Sequence, residues 1–373
     1  MVASDALPDY EVVDADAHVI ETDVTWQYLE PNEKKYRPQL VTSSSGSDKQ
    51  YWVVDGKVVG PPILTDTDRE VERKSTTSAR NIATPAAARK MEDIPLRLDH
   101  MSQLGIDTQV LHNSIFIEQI TERPDVEIAL CRSWNRWLAE IWREGGNRLR
   151  WTCVLPTLSL EIALSEIRFA KDNGAVGVCL PPFDRSLMIL DEYYYPIFSR
   201  SQELDLPIII HVANNDPALM RSLKTRSGLL GGFASFRIPT VIACYGLLTS
   251  EIPSIFPSLR WGFIEASAQW IPWVLHESAR RRAITYSKED NPFVAENIYV
   301  STQIGDDYQY IIDAIGEDRL VLGTDYGHTD TSSEVDAISQ FAALSIDSKF
   351  QEKVLCTNPR RLYGLSPLFD SRA

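Results

Sequence analysis

Residues 13–21, VDADAHVIE, are the stretch of sequence that constrains the fold most strongly. Apolar and polar residues alternate along it, which predicts a β-strand with Asp16 and His18 on one face. Two other apolar runs also end in a polar residue: PIIIH ends at His211, and LVLGTD ends at Asp325. Carboxylates and imidazoles at the carboxyl ends of parallel strands can share one divalent metal ion. We therefore predict a metal site formed by these four residues.

Eight segments have the composition of strands in a parallel sheet, because several are nearly continuous apolar runs. Amphipathic segments with helical spacing separate most of them, as at residues 125–143, 160–173 and 308–315. This alternation predicts an α/β fold with right-handed crossovers. An open doubly wound sheet gives a similar pattern, but eight repeats with polar strand ends from first to last favour a closed (β/α)8 TIM barrel. The predicted strands are Tyr10–His18, Asp107–Asn113, Leu149–Pro156, Ala175–Pro182, Pro207–Asn214, Leu259–Ala266, Asn297–Gln303 and Leu320–Tyr326.

The interval between the first two predicted strands, residues 22 to about 100, is too long for a single crossover. We interpret it as an insertion in one barrel domain that covers residues 1–373. Within it, residues 50–54 and 57–59 flank an Asp-Gly dipeptide that is typical of a type I′ hairpin turn. The polar residues 74–88 predict a loop near the barrel mouth, either a lid or a surface excursion.

The overall composition excludes several classes of function. The formal net charge of −15 argues against a nucleic-acid partner, which would need a basic surface. There is no run of about 18 apolar residues that would span a membrane, and the first ten residues do not resemble a signal peptide. Five cysteines, odd in number and far apart, are expected to be buried thiols. These features predict a cytoplasmic protein.

The chain resembles the amidohydrolase superfamily, in the branch that includes aminocarboxymuconate semialdehyde decarboxylase and γ-resorcylate decarboxylase. The resemblance rests on residues 14–21, on GTDYGHTD at 323–330 and on NPRRLYGL at 358–365. It implies a barrel enzyme that uses zinc, manganese or iron to hydrolyse, decarboxylate or hydrate a small molecule. By position, the four predicted ligands match the family's ligands on strands one, five and eight. Relatives are commonly dimers, which implies a homo-oligomer or a complex with a paralogue.

Two departures from the family pattern affect the predicted chemistry. Many members carry a general acid/base histidine at the end of strand six, where this chain has Glu265. That carboxylate could transfer a proton, bind the metal, or accept a hydrogen bond that orients a ligand histidine. Gly327 stands where relatives often have proline, which loosens the loop that carries His328.

Further potential ligands leave the number of metal ions open. Glu21 and His328 each lie three residues beyond a predicted ligand, at the start of a loop from which they could reach back. With Glu265 they would provide enough ligands for two ions. The carboxylated lysine that two-metal members often have on strand four is missing from LPPF at residues 180–183. A two-metal site would depend on carboxylates, which favour manganese and iron over zinc. One ion remains the simpler prediction.

The sequence favours hydrolysis as the reaction, because the strand-six histidine is missing. A metal-activated water would attack a carbonyl-type carbon, with Asp325 accepting its proton and Glu265 assisting. The alternatives are a metal-dependent decarboxylase, a two-metal iron or manganese enzyme that activates oxygen, and a non-catalytic partner of an active paralogue. His112, at the end of the second predicted strand, is expected to be a hydrogen-bonded core residue.

Overall fold

A computed structural model describes residues 8–42, 49–63, 84–223, 231–286, 290–328 and 334–368. Eight parallel strands follow one another around a sheet in chain order, so the predicted (β/α)8 barrel is confirmed. The first and eighth strands meet through a bridge between Ala17 and Tyr326, which closes the ring. The barrel strands, called here the first to the eighth, are Val13–His18, Thr108–His112, Leu149–Cys153, Ala175–Leu180, Ile208–His211, Trp261–Ile264, Ile298–Thr302 and Leu320–Leu322.

Helices cover the outside of the barrel, and local sequence explains where the main ones begin and end. The longest starts with Pro124 and acidic residues in its first turn, both of which suit a helix N-terminus. Another ends at Gly316, whose φ of 71° suits glycine. The α-helices are Ala86–Arg89, Ile94–Gln103, Pro124–Gly145, Leu160–Asp172, Tyr195–Glu203, Pro217–Leu223, Ile238–Thr249, Ile252–Ile255, Ile271–Arg282, Pro292–Ala295, Tyr308–Ile315, Ala337–Ala342, Ser348–Glu352 and Asn358–Tyr363.

The interior of the barrel is apolar at its amino-terminal end. Val13, Ala15, Ile209 and Val321 belong to a buried cluster that also includes Leu362 of the last helix. That helix closes the bottom of the ring, and the Tyr363 hydroxyl on it donates a hydrogen bond to the backbone oxygen of Ala15 at 2.8 Å. The carboxyl-terminal end of the first strand, at the mouth, carries Asp16 and His18.

The insertion contains a small antiparallel sheet of three strands, Gln39–Thr42, Gln50–Val54 and Lys57–Ile63. The predicted hairpin is confirmed, and Asp55 and Gly56 have φ values of 48° and 74°, as a type I′ turn requires. Strand Gln39–Thr42 was not predicted. All four of its residues are exposed, so its sequence carries no alternation of apolar and polar residues that would mark a buried face.

The predicted loop at residues 74–88 lies mostly outside the described residues. Its last part needs a correction, because Ala86–Arg89 is helical. Three consecutive alanines favour a helix over the loop that the surrounding polar composition suggested. Among the helices that the structure describes, none combines the length and the apolar character needed to cross a bilayer. All five cysteines are buried and free of disulfides.

Candidate metal centre

The barrel mouth brings together residues from the first, fifth, sixth and eighth strands and the loops that follow them. Two overlapping groups form, and within each group the ligand atoms all lie within 4.8 Å of one another. The first group contains Asp16, His18, His211 and Glu265; the second contains His18, Glu265, Asp325 and His328. The four residues predicted as ligands, the strand-six carboxylate and the loop histidine thus lie in one cluster. All are buried except His328, whose side chain is 14% exposed.

Carboxylate oxygens and imidazole nitrogens approach each other closely inside this cluster. Asp16 Oδ1 lies 3.1 Å from His211 Nε2 and 3.4 Å from His18 Nε2. Asp325 Oδ1 lies 3.4 Å from the same His18 nitrogen. Two predicted ligands from strand one, one from strand five and one from the loop after strand eight therefore face a common point.

Glu265 also faces this point from the end of the sixth strand. Its Oε2 lies 3.5 Å from His211 Nε2 and 4.0 Å from His18 Nε2. The residue has a φ of 70°, and its backbone N–H donates to the Ser301 hydroxyl at 2.6 Å. A left-handed backbone costs free energy in a residue other than glycine, and such strain is common at functional sites.

The ring of His18 is oriented by a hydrogen bond from Nδ1 to the backbone oxygen of Asn113 at 2.9 Å. Because a carbonyl oxygen only accepts, Nδ1 carries the proton and Nε2 presents a lone pair to the cluster. This Nε2 is buried and has no hydrogen-bond partner among the described residues. A buried nitrogen left unpaired beside carboxylates is unfavourable, and a divalent cation would satisfy it. The donor set therefore fits a metal ion.

The pKa shifts within the cluster also favour the binding of a cation. Burial lowers the pKa of His18 well below its usual range, and the neighbouring His328 lowers it further, so His18 is a neutral imidazole suited to metal binding. Burial alone would raise the pKa of Asp16, but the charge and hydrogen bond of His211, together with the neighbouring His18, lower it well below the usual range. Burial disfavours the charge on His211, yet Asp16 and Glu265 raise its pKa overall. Asp16 is therefore ionised, and a positive charge beside it would be stabilised.

His328 is held between two partners on the rim of the cluster. Its Nδ1 lies 2.8 Å from Asp325 Oδ1, and its Nε2 lies 2.8 Å from the hydroxyl of Ser114. Its ring stacks on that of His18 with centroids 3.8 Å apart. The position of His328 agrees with the prediction that it reaches back from its loop.

The structure does not bring Glu21 into the cluster. Its Oε1 accepts hydrogen bonds from the backbone N–H groups of Ser114 at 3.0 Å and Ile115 at 3.4 Å, and from Trp134 Nε1 at 2.9 Å. This carboxylate connects the loop after the first strand to the loop after the second strand. Glu21 therefore belongs to neither group of ligand atoms, and its metal binding stays a prediction.

His112 lies beneath the cluster and has the contacts of a core residue. Its Nδ1 lies 3.0 Å from the Thr152 hydroxyl, and its Nε2 lies 3.4 Å from the backbone oxygen of Ala15. Burial lowers its pKa to about 3, so the ring is neutral. Its centroid is 4.9 Å from that of His211, which it supports by packing.

A cavity extends from His211 across the ends of strands two to five. Phe116 and Leu180 contribute apolar walls, and Glu127 and Asp184 are among the acidic lining residues. Burial raises the pKa of Glu127 to about 7. Sequence reasoning missed these two carboxylates, because Glu127 lies in the first turn of a helix, where acidic residues are common. Cys179 is buried, as expected of the cysteines, and it also lines this cavity.

Comparison with known proteins identifies the family. A family model described as amidohydrolase matches residues 13–365, almost the whole chain. The chain belongs to the amidohydrolase family. Among curated proteins, this amidohydrolase is 26% identical to a γ-resorcylate decarboxylase of Polaromonas sp. over 301 residues, which cover 74% of this chain and 88% of the relative.

Solved structures share the fold of this amidohydrolase. An amidohydrolase from Mycobacterium avium subsp. paratuberculosis superposes with a TM-score of 0.71 at 18% identity, covering 96% of this chain and 99% of the other. A 5-carboxyvanillate decarboxylase from Novosphingobium aromaticivorans, solved with bound manganese, has a TM-score of 0.61 at 18% identity. The superposed region covers 81% of this chain and 94% of the decarboxylase chain. At these identities the likeness shows the barrel fold.

Proposed function

We propose that this chain is a metal-dependent decarboxylase of a small aromatic carboxylic acid. The observation that carries the proposal is the 26% identity to a γ-resorcylate decarboxylase over 74% of the chain. The sequence alone favoured hydrolysis, because strand six lacks a histidine. The curated relative supports the decarboxylase alternative better than hydrolysis.

Asp16, His18, His211 and Asp325 would hold one divalent cation in the proposed site. Bound there, the cation would supply positive charge that draws in the substrate carboxylate and a neighbouring oxygen. Two carboxylates with two imidazoles suit manganese as well as zinc or iron, and the related 5-carboxyvanillate decarboxylase was solved with manganese. The two overlapping donor groups also keep a second ion as an alternative, with His18 and Glu265 common to both groups.

Asp325 and His328 are our candidates for delivering the proton. The Ser114 hydroxyl donates to the backbone oxygen of Val19 at 2.8 Å, so His328 Nε2 must be the donor toward Ser114. His328 Nδ1 lies 2.8 Å from Asp325 Oδ1, and we propose that this pair supplies the proton. In decarboxylation the bond to the carboxylate carbon breaks, carbon dioxide leaves, and the ring carbon takes this proton.

Glu265 occupies the place of the family's acid/base histidine, and we propose that it assists this proton transfer. Its Oε2 lies within reach of both ligand imidazoles. The cavity beside the centre would take a small substrate with an apolar ring. Phe116 and Leu180 offer apolar contacts, and Glu127 and Asp184 add acidic groups to the lining.

The test is a carbon dioxide assay on protein reconstituted separately with manganese, zinc and iron. 2,6-Dihydroxybenzoate and 5-carboxyvanillate are the first substrates to try. Benzoate is the control compound, because its ring carries no hydroxyl or methoxy substituent. We expect metal-dependent release of carbon dioxide from a hydroxylated benzoate and none after chelation. Release that persists without metal would contradict the proposal.

Hydrolysis is the second candidate, and the observation that favours it is Glu265 in place of the strand-six histidine. The same metal-loaded preparations would be offered a lactone and an amide panel. Metal-dependent hydrolysis with no carbon dioxide release from any carboxylate would replace the decarboxylase proposal. Oxygen consumption coupled to turnover would instead support the two-metal iron or manganese alternative.

A further inference from the structure

The seam between the first and eighth strands carries three of the four proposed ligands, Asp16, His18 and Asp325. Elsewhere in the ring, neighbouring strands pair in parallel register. At this seam the described backbone bonds run from His18 N to Tyr326 O at 2.7 Å and from Asp325 N to Asp16 O at 2.8 Å. Because few backbone hydrogen bonds join the two strands here, other contacts must help to fix the distance between the proposed ligands on either side.

Asp14 supplies one such contact from the amino-terminal side of the ligands. Its carboxylate is fully buried and accepts a hydrogen bond from the backbone N–H of Thr324 at 2.9 Å. It also accepts one from the Thr324 hydroxyl at 2.6 Å. That hydroxyl in turn accepts from the N–H of Tyr326 at 3.1 Å. Asp14 therefore fixes the two residues that flank Asp325.

Arg97 supplies a second contact from the helix Ile94–Gln103. Its guanidinium is fully buried and donates to the backbone oxygen of His18 at 3.3 Å. It also lies 3.6 Å from the centroid of the Tyr326 ring. Arg97 thus contacts both sides of the seam. On the first strand it contacts His18, a proposed ligand, and on the other side it contacts Tyr326, the residue after the proposed ligand Asp325.

Gln109 joins these two buried charges. Its Oε1 accepts from Arg97 Nε at 2.7 Å, and its Nε2 donates to Asp14 at 2.9 Å. A buried charge without compensation is very unfavourable, so each member depends on the others. The seam is also tightly packed, because a side chain in place of Gly323 would collide with Asp16.

We propose that Asp14, Thr324, Gln109 and Arg97 are positioning residues that set the spacing of the metal ligands across this seam. The inference rests on the proposed metal site and adds residues that touch neither the ion nor the substrate. Partners that orient metal ligands typically change metal affinity about 10–100-fold when removed. A network that only stabilised the fold would lower the melting temperature without a selective loss of metal binding.

The decisive variant is Thr324→Val, which removes the hydroxyl and keeps the shape of the side chain. Its matched control is Thr302→Val, since Thr302 is also buried and donates across to the backbone oxygen of Val321 at 3.2 Å. Manganese is titrated into each metal-free protein, and free Mn²⁺ is followed by electron paramagnetic resonance alongside the melting temperature. We expect about 10-fold weaker binding for Thr324→Val, and Thr324→Ser and Thr302→Val within about threefold of the unaltered protein.

Equal losses of affinity in Thr324→Val and Thr302→Val would overturn the inference, as would unchanged affinity in Thr324→Val. Should Thr324→Val not fold, Arg97→Lys decides, because it keeps the charge and loses the forked contact with His18 and Gln109. Unchanged manganese affinity and an unchanged resonance spectrum in Arg97→Lys would then overturn it. If the unaltered protein binds no manganese, zinc or iron, the proposed metal site fails as well.

Discussion

His18 is the residue on which the proposed centre depends most. Its ring is oriented by the Asn113 carbonyl, and its Nε2 faces both Asp16 and Asp325. Replacing His18 with glutamine should abolish stoichiometric metal binding and carbon dioxide release, because no other imidazole of the cluster can take its position. Elemental analysis and calorimetric titration measure the first effect. His276→Gln is the control, since His276 is exposed on an outer helix; metal content near one equivalent in His18→Gln would contradict the assignment.

Asp325 combines two proposed duties, metal binding and proton delivery. Asp325→Asn keeps the shape of the side chain but removes the negative charge that faces His328. We expect kcat to fall by about 100-fold or more even at saturating metal. Steady-state assays at increasing manganese concentration separate lost affinity from lost proton transfer. Full recovery of kcat at high manganese would contradict the proton role.

The convergence of the four proposed ligands could be predicted because they lie at or near the ends of predicted strands, and the ends of parallel strands meet at one face of a barrel. The contacts of Glu21 could not be predicted, because its partners Ser114 and Trp134 lie 93 and 113 residues away in the chain. Arg97 and Gln109 were overlooked for a related reason. A polar residue on an amphipathic helix or in a strand is usually solvent-facing, and only the assembled seam shows that these two are buried.

The helix Pro124–Gly145 carries the clearest pH dependence outside the metal centre. Burial raises the pKa of Glu127, in its first turn, from 4.5 to about 7. A carboxyl whose pKa is raised in the folded state favours folding when protonated, so its contribution to stability is lost as pH rises from about 4.5 through 7. Glu127→Gln should therefore show its greatest stability relative to the unaltered protein near pH 8, and this difference should shrink toward pH 4.5.

Urea denaturation at several pH values measures this difference. Glu161→Gln is the control, because Glu161 is exposed in the first turn of the next helix. A difference between Glu127→Gln and the unaltered protein that stays constant with pH would refute the assignment.

Elements with a buried face were predictable, and elements without one were not. All eight barrel strands were located from apolar runs, although the fifth was predicted as Pro207–Asn214 and spans Ile208–His211. Its predicted end was too late because Val212 and Ala213 are apolar and buried although they lie outside the strand, and Ala213 lines the cavity. The exposed strand Gln39–Thr42 has no buried face, so its sequence shows no pattern of apolar residues that would indicate a strand.

At the scale of the whole molecule, the barrel has an apolar bottom and a polar mouth with separate roles. Leu362 is fully buried in the bottom cluster beneath Val13 and Ile209. Leu362→Ala should lower the free energy of unfolding by about 2–5 kcal/mol through cavity formation, and it should leave metal affinity unchanged. Urea unfolding and manganese titration of the same preparation measure both quantities. A parallel loss of metal affinity would contradict the separation of stability from binding.

The oligomeric state stays a prediction. The family resemblance implies a homo-oligomer, a dimer first of all, and sedimentation velocity of the purified chain tests it. An active homo-oligomer would also argue against the alternative of a non-catalytic partner for a paralogue.

The central claim is that Asp16, His18, His211 and Asp325 hold a divalent cation at the barrel mouth. Anomalous diffraction from crystals reconstituted with manganese tests it most directly. We expect one strong manganese peak at about 2.0–2.3 Å from His18 Nε2, His211 Nε2 and a carboxylate oxygen of each aspartate. Stoichiometric manganese with its peak elsewhere, or an empty mouth at saturating manganese, would contradict it.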